Sequence, residues 1–164
     1  MTGWRIGICG LLARLLAGCD GNEGGATRWT ADGWAMGSRW RLVVIGNEEQ
    51  RGAAPELVAA ILEDNVCRFS TWRRDSELSR INDGELPAAV ASKEFCELLE
   101  LARSVREASG GAFDERLGGA VRAAGFAPPR PGPPDGEERV ELDLCGIAKG
   151  FAVDEVCREL QQIG

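Results

Sequence analysis

The segment RWRLVVI, Arg39 to Ile45, is β-branched and partly alternating, which predicts a strand. From Pro55 the period changes: Leu57, Val58, Ile61, Leu62, Val66 and Phe69 recur at helical spacing, with Pro55 acceptable in the first turn. A second helix is predicted from Ser92, a good N-cap, through Phe95, Leu98, Leu99, Ala102 and Val105 to a stop at Ser109-Gly110-Gly111. Both apolar stripes read as core faces, and the first is expected to pack on a sheet. Residues 127–138, APPRPGPPDGEE, suit neither a helix interior nor a central strand because proline fixes φ and removes a donor, so an exposed loop between strands is expected. VELDL then sets Val140, Leu142 and Leu144 against Glu141 and Asp143, the alternation of a strand with one apolar face. It runs into a turn at Gly146 and a helix expected to begin near Ile147. No internal repeat is visible.

The N-terminal pattern is separate from this. Arg5 precedes a mostly apolar run, Ile6 to Ala17, that is too short and too interrupted by Arg14 to span a bilayer, and it reads as a signal-peptide core at residues 1–19. An amphipathic N-terminal helix is the alternative. Leu16-Ala17-Gly18-Cys19 resembles the bacterial lipobox, which implies lipidation at Cys19, and the following Asp20 resembles a signal for retention at the inner membrane. Residues 20–28, DGNEGGATR, are Gly-rich and polar like a tether, so the folded domain is expected over 29–164.

With 44% apolar and 27% charged residues in 164, the composition is that of one globular domain. The net charge of −7 argues against a nucleic-acid partner, the more so once Arg5 and Arg14 are set aside. Histidine and tyrosine are absent, so catalysis would have to use carboxylates, Lys, Ser/Thr, Cys or a hard metal. Beyond Cys9 and Cys19 four cysteines remain, Cys67, Cys96, Cys145 and Cys157, without C-x-x-C spacing; buried free thiols are expected, with one incidental bridge as the alternative.

Three segments carry candidate chemistry. At Gly146 a strand–turn–helix junction offers N–H groups and a positive dipole end, and Lys149 adds a full charge, the makings of an anion site. STWRRDSELSRIN, Ser70 to Asn82, crowds polar and charged residues around Trp72, although a solvated loop has the same look. In SGGAFDERLG, Ser109 to Gly118, glycines lead out of a helix to Phe113 and Asp114; Phe113 serves equally as core and Asp114 as a cap.

In this order and spacing the segments resemble the ApbE family, the FAD:protein FMN transferases: MGS at Met36 to Ser38 for Met-Gly-Thr, STWRRDSELSRIN, GGAFD, and DLCGIAKGFAVD for Asp-Leu-Gly-Gly-Ile-Ala-Lys-Gly-Tyr-Ala-Val-Asp. The resemblance implies an α+β fold, an ApbE-like (T-fold-related) sheet with packed helices, incomplete at the C-terminus. It implies FAD contacts at Met36, Trp72, Ala112, Phe113, Asp114, Asp143 and Lys149, and a magnesium ligand in the backbone oxygen of Gly146. The implied reaction moves FMN from FAD to a Thr or Ser hydroxyl of target flavoproteins of membrane redox complexes, releasing AMP. With the lipobox, the expected location is the periplasmic side of the inner membrane, lipid-anchored.

Departures from the family pattern set the alternatives. Cys145 stands for a glycine, DERLGGAV replaces a proline-containing run, and an Asp and a Thr that complete the family's metal site lie further along than Gly164, so a truncated chain is expected. A lipoprotein that binds or hydrolyses FAD without modifying protein is the second reading, and a solute-binding lipoprotein the third.

Overall fold

The structure, a computed structural model, describes residues 14–16, 27–46, 48–130 and 140–162. Most of the segment read as a signal peptide, the lipidation candidate Cys19, residues 20–26 of the tether and most of the proline-rich loop lie outside the described residues.

Three antiparallel strands form one sheet in the order β1 (Arg14–Leu16), β2 (Thr27–Ala35), β3 (Ser38–Gly46). Three residues of the expected signal segment thus pair with β2, and Thr27 and Arg28, read as tether, belong to β2 itself. The β2–β3 register sets Trp29 beside Val44, Ala31 beside Leu42 and Gly33 beside Trp40. These six share one face, as the two-residue period of a strand requires; Gly33 is needed there because a Cβ would come within 2.8 Å of the Trp40 indole. Trp34, Val43 and Ile45 on the other face are exposed. The hairpin closes through Met36 (φ 50) and Gly37 (φ 71), both left-handed, which matches the twist of the flanking strands.

Helix α1 (Glu48–Phe69) crosses the inner face of the sheet. It starts seven residues before Pro55, so the proline sits inside the helix and not in its first turn as expected; one interior hydrogen bond is given up there. The predicted apolar stripe holds: Val58, Leu62 and Phe69 are buried. Next come α2 (Glu77–Asn82), a single 3-10 turn (Ala88–Val90), α3 (Lys93–Ala108), α4 (Gly118–Ala123) and α5 (Cys145–Gln162). Helix α3 has the predicted Ser92 cap, whose hydroxyl accepts from the Phe95 N–H, and its chain leaves through left-handed Gly110 and Gly111. The main core joins Phe69, Leu78, Phe95, Leu98, Ala102, Leu144 and Ala148, and the Phe151 ring meets Phe69 edge-on at 5.7 Å.

Two expectations are overturned near the end. VELDL is not a strand: Leu144 is buried and Leu142 half-buried, but the backbone finds its partners outside any ladder. The Leu142 N–H and C=O both bond the Asn82 side chain, and the Asp143 N–H donates to the Glu115 carbonyl. Gly146 is not a turn either, because α5 has already begun at Cys145. A Cβ at Gly146 would lie 3.2 Å from a Phe113 ring carbon, so the glycine serves close packing. The proline-rich loop, expected to be exposed, in its described part buries Ala127 and most of Arg130. Among the four cysteines described all are free, but Cys96, Cys145 and Cys157 are exposed and only Cys67 is half-buried, against the expectation of buried thiols.

Candidate functional site

Most of STWRRDSELSRIN is structural hardware. The Ser70 carbonyl accepts from the hydroxyls of Ser76 (2.6 Å) and Ser79 (3.1 Å), and Ser76 in turn caps α2 by accepting from the Ser79 N–H. Glu77 binds both the N–H and the hydroxyl of Ser92, which ties the start of α2 to the cap of α3. Thr71, Ser76, Leu78 and Ser79 are buried, so the solvated-loop alternative fails for this segment. Arg73 bridges Glu63 and Asp75; its guanidinium holds the Asp75 carboxyl below the ordinary range.

This hardware carries the stretch Ser70-Thr71-Trp72, in which Trp72 is exposed and the Ser70 hydroxyl accepts from the N–H groups of Trp72 and Arg73. It forms one wall of a cleft of about 550 Å³, within the size range of ligand sites. Met36 and Gly37 of the hairpin, Asn65, Val66 and Phe69 of α1, Phe126, and Cys145, Ala148 and Lys149 of α5 complete the lining. Met36, Trp72 and Lys149, three residues singled out from sequence, therefore meet in one cavity. Trp72 is 65% exposed, an unusual state for an indole. The left-handed backbone at Met36 is a conformation that non-glycine residues seldom adopt.

The other predicted residues do not line the cleft. Phe113 packs against Gly146 and the main core. Ala112 is exposed in the turn after α3. The Asp114 carboxylate is engaged by Arg116, through its N–H at 2.9 Å and its guanidinium at 2.7 Å and 2.8 Å, and by Arg106 at 4.0 Å. Those bonds, the Arg116 side chain foremost, hold its pKa far below the ordinary value. Asp143 accepts from the Cys145 N–H at 2.7 Å and so occupies a donor at the start of α5 that sequence reasoning left free for a ligand. The Cys145 thiol lies 3.7 Å from the Thr71 hydroxyl; desolvation and then Asp143 push its pKa up, against Thr71 and Lys149.

Sequence reading missed four residues around this site. Arg130, only 9% exposed at its side chain, donates to the Ser79 carbonyl and hydroxyl, the Thr71 carbonyl and the Asp83 carboxylate. Buried Glu115 pairs with Arg106 at 2.8 Å, and buried Asn65 joins α1 to Glu155 of α5. Phe126 is the fourth. Nothing in the local pattern marked them; Arg130 and Asn65 in particular are defined by partners 47 and 90 residues away.

The described residues do not by themselves supply a magnesium site. Among the described residues there is no group of three or more Cys, Asp or Glu that could hold a metal ion. The Gly146 carbonyl, in the first turn of α5, has the position of a helical acceptor for the N–H four residues on.

A hairpin laid on α1 and α5, with a ligand-sized cleft where the hairpin turn, the Trp72 loop and the start of α5 converge, defines an α+β domain with one ligand-sized site. The chain belongs to the ApbE family, whose family model matches residues 36–139. It is 31% identical to the FAD:protein FMN transferase of Haemophilus influenzae over a match covering 66% of this chain and 41% of that protein. With the enzyme of the same name from Vibrio cholerae the identity is 30%, covering 100% of this chain and 57% of the relative. The solved flavin transferase ApbE from Vibrio cholerae superposes with a TM-score of 0.70 at 26% identity, over 84% of this chain and 54% of that one. The chain thus spans about half the length of the relatives it matches.

Proposed function

We propose that this chain forms the flavin-nucleotide cleft of an FAD:protein FMN transferase. The convergence of Met36, Trp72 and Lys149 in one cavity carries the reading, and membership of the ApbE family supports it. Trp72 offers an exposed ring face to a flat ring system. Lys149, close to the positive end of α5, offers charge to a pyrophosphate. Asp143 and Asp114 are acceptors for ribose or ring donors once they share or release their present partners, and Ala112 and Phe113 shape the edge beside them. In the proposed reaction a Thr or Ser hydroxyl of a target flavoprotein bonds to the FMN phosphorus, the bridging P–O bond breaks, and AMP leaves. The hydroxyl proton goes to solvent or to a carboxylate.

Magnesium dependence belongs to this proposal as a requirement to be measured, as do the target flavoproteins of membrane redox complexes. So does anchoring at the periplasmic face of the inner membrane through lipid on Cys19. Labelling with a radioactive fatty acid, lost in Cys19→Ala, would support the anchor; equal labelling of both would remove it.

The deciding experiment incubates the protein with FAD, a divalent metal and a target bearing a flavinylation threonine. A fluorescent target band after denaturing electrophoresis, absent when that threonine is alanine, is the expected result. FAD binding without a band under any metal leaves a binding or hydrolysing protein and removes transfer; no binding removes both.

A further inference from the structure

Two aromatic rings stand exposed in the cleft, and only Trp72 has a role so far. Phe126 is 74% exposed and lines the same cavity. A scattered surface phenylalanine needs no explanation. This one is held in place. It follows left-handed Gly125, its N–H donates to the Val121 carbonyl at 3.1 Å, and the next residue, Ala127, is buried. Three residues further, the Arg130 guanidinium donates to the Thr71 carbonyl at 2.9 Å and to the Ser79 hydroxyl at 2.6 Å. Thr71 is the neighbour of Trp72 in the chain. The backbone carrying Phe126 is therefore tied by a largely buried arginine to the backbone carrying Trp72, and an apolar ring is kept at the mouth of a cavity where water would otherwise disfavour it. Two exposed aromatics fixed in one cavity suit a planar ligand, whose faces they cover at little entropic cost.

We infer that Phe126 is a second ring-binding residue of the cleft, acting with Trp72 on one of the two flat ring systems of the dinucleotide. The inference rests on the reading of the cleft as a flavin-nucleotide site. Calorimetric titration of the protein with FAD, FMN and ADP tests it, using wild type, Phe126→Ala, Phe126→Leu and Phe126→Trp. Both non-aromatic variants should weaken FAD binding about tenfold, the size of one lost ring stack, while Phe126→Trp keeps wild-type affinity. The melting temperature should stay unchanged, because the side chain buries little. A matching loss for FMN assigns Phe126 to the flavin ring, and for ADP to the adenine. Leucine binding as well as phenylalanine, or alanine binding all three ligands like wild type, overturns the inference and leaves the cleft reading standing. Wild type that binds no FAD overturns both.

Discussion

Asn82 and Leu142 form a closed pair: the side-chain amide of Asn82 donates to the Leu142 carbonyl at 2.9 Å, and its oxygen accepts from the Leu142 N–H at 2.9 Å. One side chain at the end of α2 thus does for the segment before α5 what a neighbouring strand would do. The last residue of the polar segment that sets Trp72 is in this way joined to the segment that leads into Lys149.

Replacing Asn82 with alanine leaves two half-buried backbone groups unpaired, and should cost about 1–3 kcal/mol of stability. Urea unfolding would read this as a lower midpoint at unchanged slope, and the Leu142 amide should exchange faster with solvent. An unchanged midpoint would show that water replaces the pair at no cost.

Arg130 makes four donor contacts in a nearly enclosed place, two of them to backbone carbonyls that flank the Trp72 loop. Arg130→Met should destabilise by about 2–4 kcal/mol, since the Asp83 carboxylate and the Thr71 carbonyl lose their partner, while the Ser79 carbonyl keeps the Asp83 N–H. Lysine should not restore it, because a point charge cannot span the same acceptors as a planar fork. Full rescue by lysine in thermal melts would mean that charge alone matters.

Asp114 titrates below the ordinary carboxylate range because Arg116 binds its charged form. A carboxyl with a depressed folded-state pKa adds stability that is complete above its unfolded pKa and is lost as pH falls through the folded one. Carbon-detected NMR should find Asp114 still ionised at pH values where free aspartate is protonated, and Arg116→Gln should return it toward the ordinary value. An ordinary titration in wild type would contradict the Arg116 pairing.

Two glycines should respond differently to alanine. At Gly118 a Cβ would sit 2.7 Å from the Glu141 backbone oxygen, which cannot swing aside, so Gly118→Ala should cost about 1–3 kcal/mol as overpacking. At Gly146 the obstacle is a Phe113 ring carbon at 3.2 Å, and the gain in helix propensity of about 1 kcal/mol offsets much of the strain. Thermal melts should therefore rank Gly146→Ala well above Gly118→Ala; the reverse order would contradict this packing.

If Lys149 meets the pyrophosphate, Lys149→Gln should weaken FAD binding about three- to tenfold at low salt, with a smaller effect as salt screens the charge. Equal affinity of the two proteins at low salt would remove Lys149 from the site.

Local pattern was enough for β3, for the buried stripes of α1 and α3, and for the Ser92 cap with its Gly110-Gly111 exit. Those features depend on residues within a turn or two of one another, and periodicity records them directly. The order of motifs likewise carried the family and pointed to Met36, Trp72 and Lys149. The pattern misled where long-range partners outweighed it. VELDL alternates like a strand, but Asn82 and Glu115 satisfy its backbone; Gly146 looks like a turn, but it makes room for Phe113. Only the tertiary structure decided that Thr71, Ser76 and Ser79 of the polar segment are buried in a hydrogen-bond scaffold, that Asp143 closes the start of α5, and that Arg130 binds a loop to one wall of the cleft. Such roles arise when folding removes water from polar groups, and each must then pair with whatever partner the packed chain brings near.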